Sequence, residues 1–300
     1  HPSAQQSSAL AAKVIYEAAL KAGAPEHIIQ WIEHPSLEAT KLLMNHDKVA
    51  LVLATGGAGM VKSAYSTGKP ALGVGPGNVP AYIEKSAKIK RAVNDVIVSK
   101  TFDNGMICAS EQGVIVDKEI CDEVKKEFEA HQCYVVKKKE LSKLESIVMR
   151  EDRCAVNADI VGKPATEIAA SVGIKVPEGT KMLIAELEGV GPDYPLSREK
   201  LSPVLAMVKA ENREHGLELC EGMLNLGGLG HTAVVHTEDE ALQREFGIRM
   251  NACRVLVNSP SAEGGIGNIY NEMIPSLTLG CGSYGHNSVS HNVSAVDLIN

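Results

Sequence analysis

The chain has 300 residues and 44% hydrophobic content, enough to fill the core of one large α/β domain or two medium ones, and this excludes disordered, collagenous and coiled-coil classes. Aromatics make up only 4%, so the cores must be built from Val, Ile, Leu, Ala and Met, as is usual where parallel strands lie between helices. With 37 acidic against 30 basic residues, the net charge of −7 argues against a general nucleic-acid or anionic-membrane surface, so an anionic ligand has to be held by local groups.

Residues 5–22 place Leu10, Val14, Ile15, Ala18 and Leu20 at helical spacing, with Gly23 and Pro25 as a stop. His27 to Glu33 reads as a short strand, and Pro35-Ser36 starts a helix that carries Leu37, Leu42, Leu43 and Met44. The apolar run 49–54 suits a central parallel strand and leads into Thr55-Gly56-Gly57-Ala58-Gly59. A short helix over 60–67 and a second strand at 70–74 complete a β-α-β unit whose turn presents bare backbone N–H groups. The G-x-G-x-x-G fingerprint is absent, and such a turn alone serves close packing as often as ligand binding. A second glycine cluster, Gly73 to Asn78, leaves the same edge of the presumed sheet, and the two loops together favour a ligand cleft.

A charged segment (Glu84, Lys85, Lys88, Lys90, Arg91), with Glu84 read as solvated, is the junction between two domains near residues 84–100, where an amphipathic helix runs over 87–100. Strands then alternate with helices: strands at 113–117, 133–137, 181–186, 205–210, 231–237 and 254–258, and helices at about 118–131, 139–150, 164–172, 213–226 and 238–247. This is a second α/β unit, with no internal repeat and no low-complexity tract.

Seven cysteines stand at 108, 121, 133, 154, 220, 253 and 281, without a C-x-x-C pair or a zinc-like couplet, so reduced thiols of a cytoplasmic protein and no metal site are expected. No run of about eighteen apolar residues suggests a membrane span. Cys108 differs from the other six. It lies in Thr101-Phe102-Asp103-Asn104-Gly105-Met106-Ile107-Cys108-Ala109-Ser110-Glu111-Gln112, between a helix and a strand, with a flexible turn before it and small neighbours after it, where a thiol is open to a cleft. Cys281 is the other cysteine in a glycine-rich loop.

Four segments carry a resemblance over essentially all 300 residues: 101–112, Leu201-Ser202-Pro203, Gly227 to Thr232, and Pro275 to Ser283. They resemble the acylating aldehyde dehydrogenase part of the bacterial bifunctional aldehyde-alcohol dehydrogenases. The resemblance implies an aldehyde dehydrogenase-like α/β fold. Residues 1–95 would form an N-terminally truncated, Rossmann-like NAD-binding domain and 96–287 a catalytic thiol domain, while 288–300 returns to the cofactor domain or forms an oligomer interface. The start at His1-Pro2 and the end at Ile299-Asn300 read as cuts, with a further N-terminal part and a C-terminal iron-dependent alcohol dehydrogenase domain expected outside them.

By the same resemblance Cys108 is the nucleophile, which forms a thioester from acetaldehyde that coenzyme A takes over, with NAD as hydride acceptor. Thr55, Gly56, Gly57 and Gly75 fall beside the cofactor, Glu199 holds its ribose, and His231 lies near the thiol, in a catalytic or a merely structural role. The Cys108 N–H would give half of an oxyanion hole. No acid stands between Leu72 and Val79, where the hydrolytic branch of the superfamily carries its water-activating glutamate, and this favours acyl transfer to a thiol. Two other readings stand beside it: an assembly module of a homo-oligomer or filament, in which Ser288 to Asn300 adds an edge strand to a neighbour, and a hydrolytic aldehyde dehydrogenase, against which the acid-free glycine loop argues.

Overall fold

A computed structural model describes residues 4–150, 152 and 155–299; Cys154 lies outside the described residues. The chain opens with α1 (Gln5–Lys21), which has no buried residue, and α2 (Leu37–Asn45), capped where Ser36 Oγ accepts the Ala39 N–H at 3.0 Å. The strand expected at 27–33 does not form. These residues are turn and bend with a left-handed His27, and β1 pairs only with β2 among the described strands, so nothing there offers a ladder.

A parallel pair follows, β1 (Val52–Thr55) and β2 (Ala71–Val74), joined by α3 (Ala58–Tyr65). The remaining seven strands make one sheet, all parallel, with β3 (Val79–Ile83) at its heart. Around it stand β4 (Glu111–Asp117), β5 (Cys133–Val135), β6 (Met182–Leu187), β7 (Val204–Ala210), β8 (Gly230–His236) and β9 (Ala252–Val257), in the order β5-β6-β7-β4-β3-β8-β9. Helices cover both faces, as a sheet of buried Val, Ile, Leu and Ala requires. On one face α4 (Ile89–Thr101) and α5 (Cys121–Ala130) pack over Val114, Val116 and Ile184; on the other α8 (Arg213–Gly227) and α9 (Glu240–Arg249) pack over Tyr82, Ile115 and Val235. α6 (Leu141–Val148) and α7 (Ala165–Ser171) close the β5–β6 end, and α10 (Ser261–Ile266) follows β9.

The two sheets part at Gly75–Asn78: β3 and the whole of α4, whose first residues the sequence reading gave to the N-terminal unit, pack in the seven-stranded layer. β3 also escaped that reading. Pro80 sits inside it, and a proline lacks the N–H that a central strand donates. The register shifts at Val79/Pro80, and pairing with β8 begins only at Ala81, so that N–H is not needed. Glu84 is buried, not solvated: Thr237 Oγ1 donates to its carboxylate at 2.8 Å and the Ser86 N–H at 3.0 Å. The segment from Ser288 forms no strand among its described residues. Ser288 Oγ donates to the Ala71 carbonyl at 2.7 Å, and Asn292 is buried, donating to the carbonyls of Gly265 and Ile274. No helix among the described residues is long and apolar enough to cross a membrane.

Candidate active site

The loop Gly75–Asn78 runs from the carboxyl end of β2 to the amino end of β3, and the candidate residues gather along it. Cys108 lies just before β4, Glu199 before β7 and His231 at the start of β8, so with the Gly77 loop before β3 the four adjacent strands β7, β4, β3 and β8 bring these residues to the same end of the sheet. Gly77 is the hub. A Cβ built on it would lie 2.1 Å from the Cys108 carbonyl oxygen and 3.2 Å from His231 Cδ2, and its N–H donates to Glu199 Oε1 at 3.1 Å. Thr55 ends β1, is exposed, and its Oγ1 lies 3.3 Å from Thr278 Oγ1. Gly57, Gly59 and Gly75 have nothing within 4 Å of where a Cβ would stand, which leaves their backbone open to a ligand. Gly75 and Pro76 line a cavity of about 470 Å³ together with Val61, Tyr65 and His286.

The loop before Cys108 holds its shape by backbone conformation. Asp103, Asn104 and Gly105 are consecutive left-handed residues, and Gly105 lies so close to Ser202 that a Cβ would meet its carbonyl oxygen at 2.6 Å. Asn104 Nδ2 donates to the Gly162 carbonyl at 2.9 Å. Cys108 itself keeps partial exposure, while Cys133, Cys220 and Cys281 are buried, Cys121 is partly covered in α5 and Cys253 is exposed on β9. Burial pushes the Cys108 thiol up to about 12, with the nearby Glu199 and Cys281 adding to the rise, whereas Arg254 and the residue's own N–H favour the thiolate.

His231 is completely buried, and burial, with Arg254 beside it, pushes its pKa down to about 3, so the ring is neutral at ordinary pH. Its Nδ1 lies 2.8 Å from Thr232 Oγ1, and its Nε2 is buried with no partner. Glu199 is only partly covered by surface area, yet its carboxyl group lies in a crowded setting that raises it to about 7, opposed by the Gly77 N–H and by Lys100 and Lys200. The loop 72–79 has no acid of its own, but Glu199 brings a carboxylate to it from the segment before β7, so it is not acid-free in space.

Arg254 was not foreseen from the sequence. Buried on β9, it donates through Nη2 to the carbonyls of His231 at 2.9 Å, Leu279 at 3.2 Å and Gly280 at 2.7 Å, which fastens the Cys281 loop to β8. An arginine within an otherwise apolar strand was the available signal. Cys281 is close to this site: its buried thiol donates to the Leu279 carbonyl at 3.5 Å, and it lies near enough to Cys108 to help raise that thiol.

A sequence profile of the aldehyde dehydrogenase family matches residues 2–267. The chain belongs to the aldehyde dehydrogenase family. It is 58% identical, over its whole length, to the aldehyde-alcohol dehydrogenase of Streptococcus pneumoniae, and covers 35% of that protein. Among solved structures, an acetylating aldehyde dehydrogenase from Geobacillus thermoglucosidasius superposes with a TM-score of 0.96 at 47% identity, matching all of this chain and 66% of that one. The propionaldehyde dehydrogenase of Rhodopseudomonas palustris, solved with bound CoA and an acylated cysteine, superposes with a TM-score of 0.86 at 28% identity, over 97% of this chain and 64% of that one. The chain thus spans about a third of the curated relative and about two thirds of these aldehyde dehydrogenase structures.

Proposed function

We propose that this chain carries the acyl-transfer centre of a CoA-acylating aldehyde dehydrogenase, interconverting acetaldehyde, CoA and NAD with acetyl-CoA and NADH, as part of a bifunctional aldehyde-alcohol dehydrogenase. The observation that carries the reading is the partly exposed residue Cys108, set between the amino ends of β3, β4 and β8, with the Glu199 carboxylate held at the same glycine loop. A relative caught with CoA and an acylated cysteine supports the choice of acceptor.

The reaction begins when Cys108 Sγ, as thiolate, bonds to the aldehyde carbon and the carbonyl oxygen becomes an oxyanion facing the Cys108 N–H. Because burial makes ionisation of this thiol costly, its proton needs an acceptor, and the Glu199 carboxyl, raised to about 7, is the group at hand, whereas His231, pushed down to about 3, borders the site as a neutral ring. Loss of hydride then converts the thiohemiacetal to a thioester, and a nicotinamide cofactor, when bound, accepts that hydride. The open glycines at 57, 59 and 75 and the Glu199 carboxylate suit a ribose and pyrophosphate. Finally the CoA sulfur attacks the thioester carbon, Cys108 leaves as thiolate, and the CoA thiol proton passes to the Glu199 carboxylate. The thiolate is the better nucleophile, so CoA outruns water even with Glu199 nearby.

The test is NADH formation from acetaldehyde with and without CoA, in the full-length protein and in Cys108→Ala. CoA-dependent turnover that the variant loses is expected. Unchanged activity in the variant, or CoA-independent turnover to acetate, overturns the reading.

A further inference from the structure

The ring of His231 is held by side chains that the chemistry above does not use. Arg254 is buried and donates through Nε to Thr232 Oγ1 at 3.3 Å, and that oxygen lies 2.8 Å from His231 Nδ1. Arg254 Nη1 donates to Asn292 Oδ1 at 3.3 Å and Nη2 to backbone carbonyls, so each acceptor it has among the described residues is neutral. On the opposite edge of the ring, Cδ2 lies 3.2 Å from the point where a Cβ on Gly77 would stand. The Cys108 carbonyl oxygen lies 2.1 Å from that same point. Nε2, bonded to Cδ2, is buried and has no partner among the described residues.

Hydrogen-bond accounting decides where the proton of this neutral ring sits. A guanidinium has donors only, so Thr232 Oγ1 accepts from Arg254. Thr232 is fully buried, and the acceptor within reach of its hydroxyl hydrogen is His231 Nδ1. With the ring proton on Nε2, Thr232 donates to Nδ1 and a single group is left over, the Nε2 N–H. With the proton on Nδ1, the threonine hydrogen and a bare Nε2 are both left over. A buried polar group without a partner is costly, so the first arrangement prevails.

We propose that Thr232, backed by Arg254, is a positioning residue that fixes the neutral His231 ring with its proton on Nε2, so that the histidine offers an N–H, and not a base, to the negative charge formed at Cys108. The choice of acceptor rests on the acyl-transfer reading above. A cation on the threonine oxygen strengthens its O–H as a donor, so Arg254 reinforces this tautomer. Arg254 also opposes a second proton on the ring. A neutral N–H steadies a developing anion without a proton transfer of its own, while the thiol proton goes to Glu199. The N–H that stands unpartnered in the resting protein gains its acceptor when that anion forms.

The test uses the full-length protein with isotope-labelled histidine rings, read by solid-state nitrogen NMR, the His231 signals being assigned by their loss in His231→Gln. Wild type is expected to be protonated on Nε2 with a hydrogen-bonded Nδ1. Thr232→Val keeps the shape and removes the hydroxyl, so it should shift the Nδ1 resonance, and Thr232→Ser should restore it. A ring proton on Nδ1 in wild type overturns the proposal, as does an unmoved Nδ1 resonance in folded Thr232→Val. Turnover separates a donor from a base. Glutamine carries an N–H and cannot act as a base. In His231→Gln kcat should therefore stay within about tenfold of wild type, whereas His231→Leu should lose about 100-fold. Equal loss in the two variants overturns the donor role. Wild-type turnover in Cys108→Ala would remove the reaction reading while leaving the tautomer in place.

Discussion

Replacing Gly77 by alanine probes the hub of the site with the smallest possible change. The added methyl would lie 2.1 Å from the Cys108 carbonyl oxygen, whereas ordinary contact begins at 3.4 Å, so loop and carbonyl must part by about 1 Å. The obstructing atom is backbone, which a rotamer change cannot clear. Overpacking of this kind costs about 1–3 kcal/mol of stability. Catalysis suffers more, because a displacement of about 1 Å at a reacting group costs about 100-fold in rate. The methyl would also press on His231 at 3.2 Å and disturb the N–H that Glu199 accepts. Gly227→Ala is the control, since nothing lies within 4 Å of its Cβ position at the end of α8. Steady-state kinetics, iodoacetamide alkylation of Cys108 and thermal melting are measured on both variants. Wild-type kcat/KM in a folded Gly77→Ala protein would refute the placement of this loop against a reacting Cys108.

Two further outcomes follow from buried polar groups. His236 is 1% exposed with an unpartnered Nε2, and burial, with Arg91 adding, lowers its pKa from 6.5 to about 3. As pH falls the unfolded chain therefore binds the proton first; the stabilisation is whole above about 6.5 and declines toward about 3. His236→Leu should flatten the acid loss of stability between those limits by up to about 1.4 kcal/mol per pH unit, read from urea midpoints; an unaltered slope would show that His236 is not held neutral. Arg254→Met strands the carbonyls of His231, Leu279 and Gly280 and should lower stability by about 3 kcal/mol, raising at the same time the pH midpoint of Cys108 alkylation, since a cation that favours the thiolate is lost. A stable variant with the wild-type alkylation profile would contradict both effects.

Much of the sheet was legible in the sequence because apolar runs such as 114–116 and 204–208 have no solvated reading. Cys108 stood out by its loop: turn residues before it and small ones after it are local signals. The partners of that thiol are not local. Glu199 reaches the Gly77 loop across 122 positions, and no spacing rule announces such a contact. β3 was hidden by Pro80, whose missing donor is excused only by a register shift that appears on pairing. Lys100 carried a signal that charge alone obscured: it follows Val93, Val96 and Ile97 on the buried face of α4, where a lysine reads as a solvated end until the helix is docked. The strand expected at 27–33 had composition but no neighbour to pair with among the described residues.

The most direct test of the central claim is chemical. The full-length protein is incubated with acetyl-CoA without NADH, quenched in acid, and its peptides are read by mass spectrometry. A single acetyl group on Cys108, removed when free CoA is added and absent in Cys108→Ala, is the predicted result. Acetylation of another thiol, such as the exposed Cys253, with Cys108 unmodified would contradict the account.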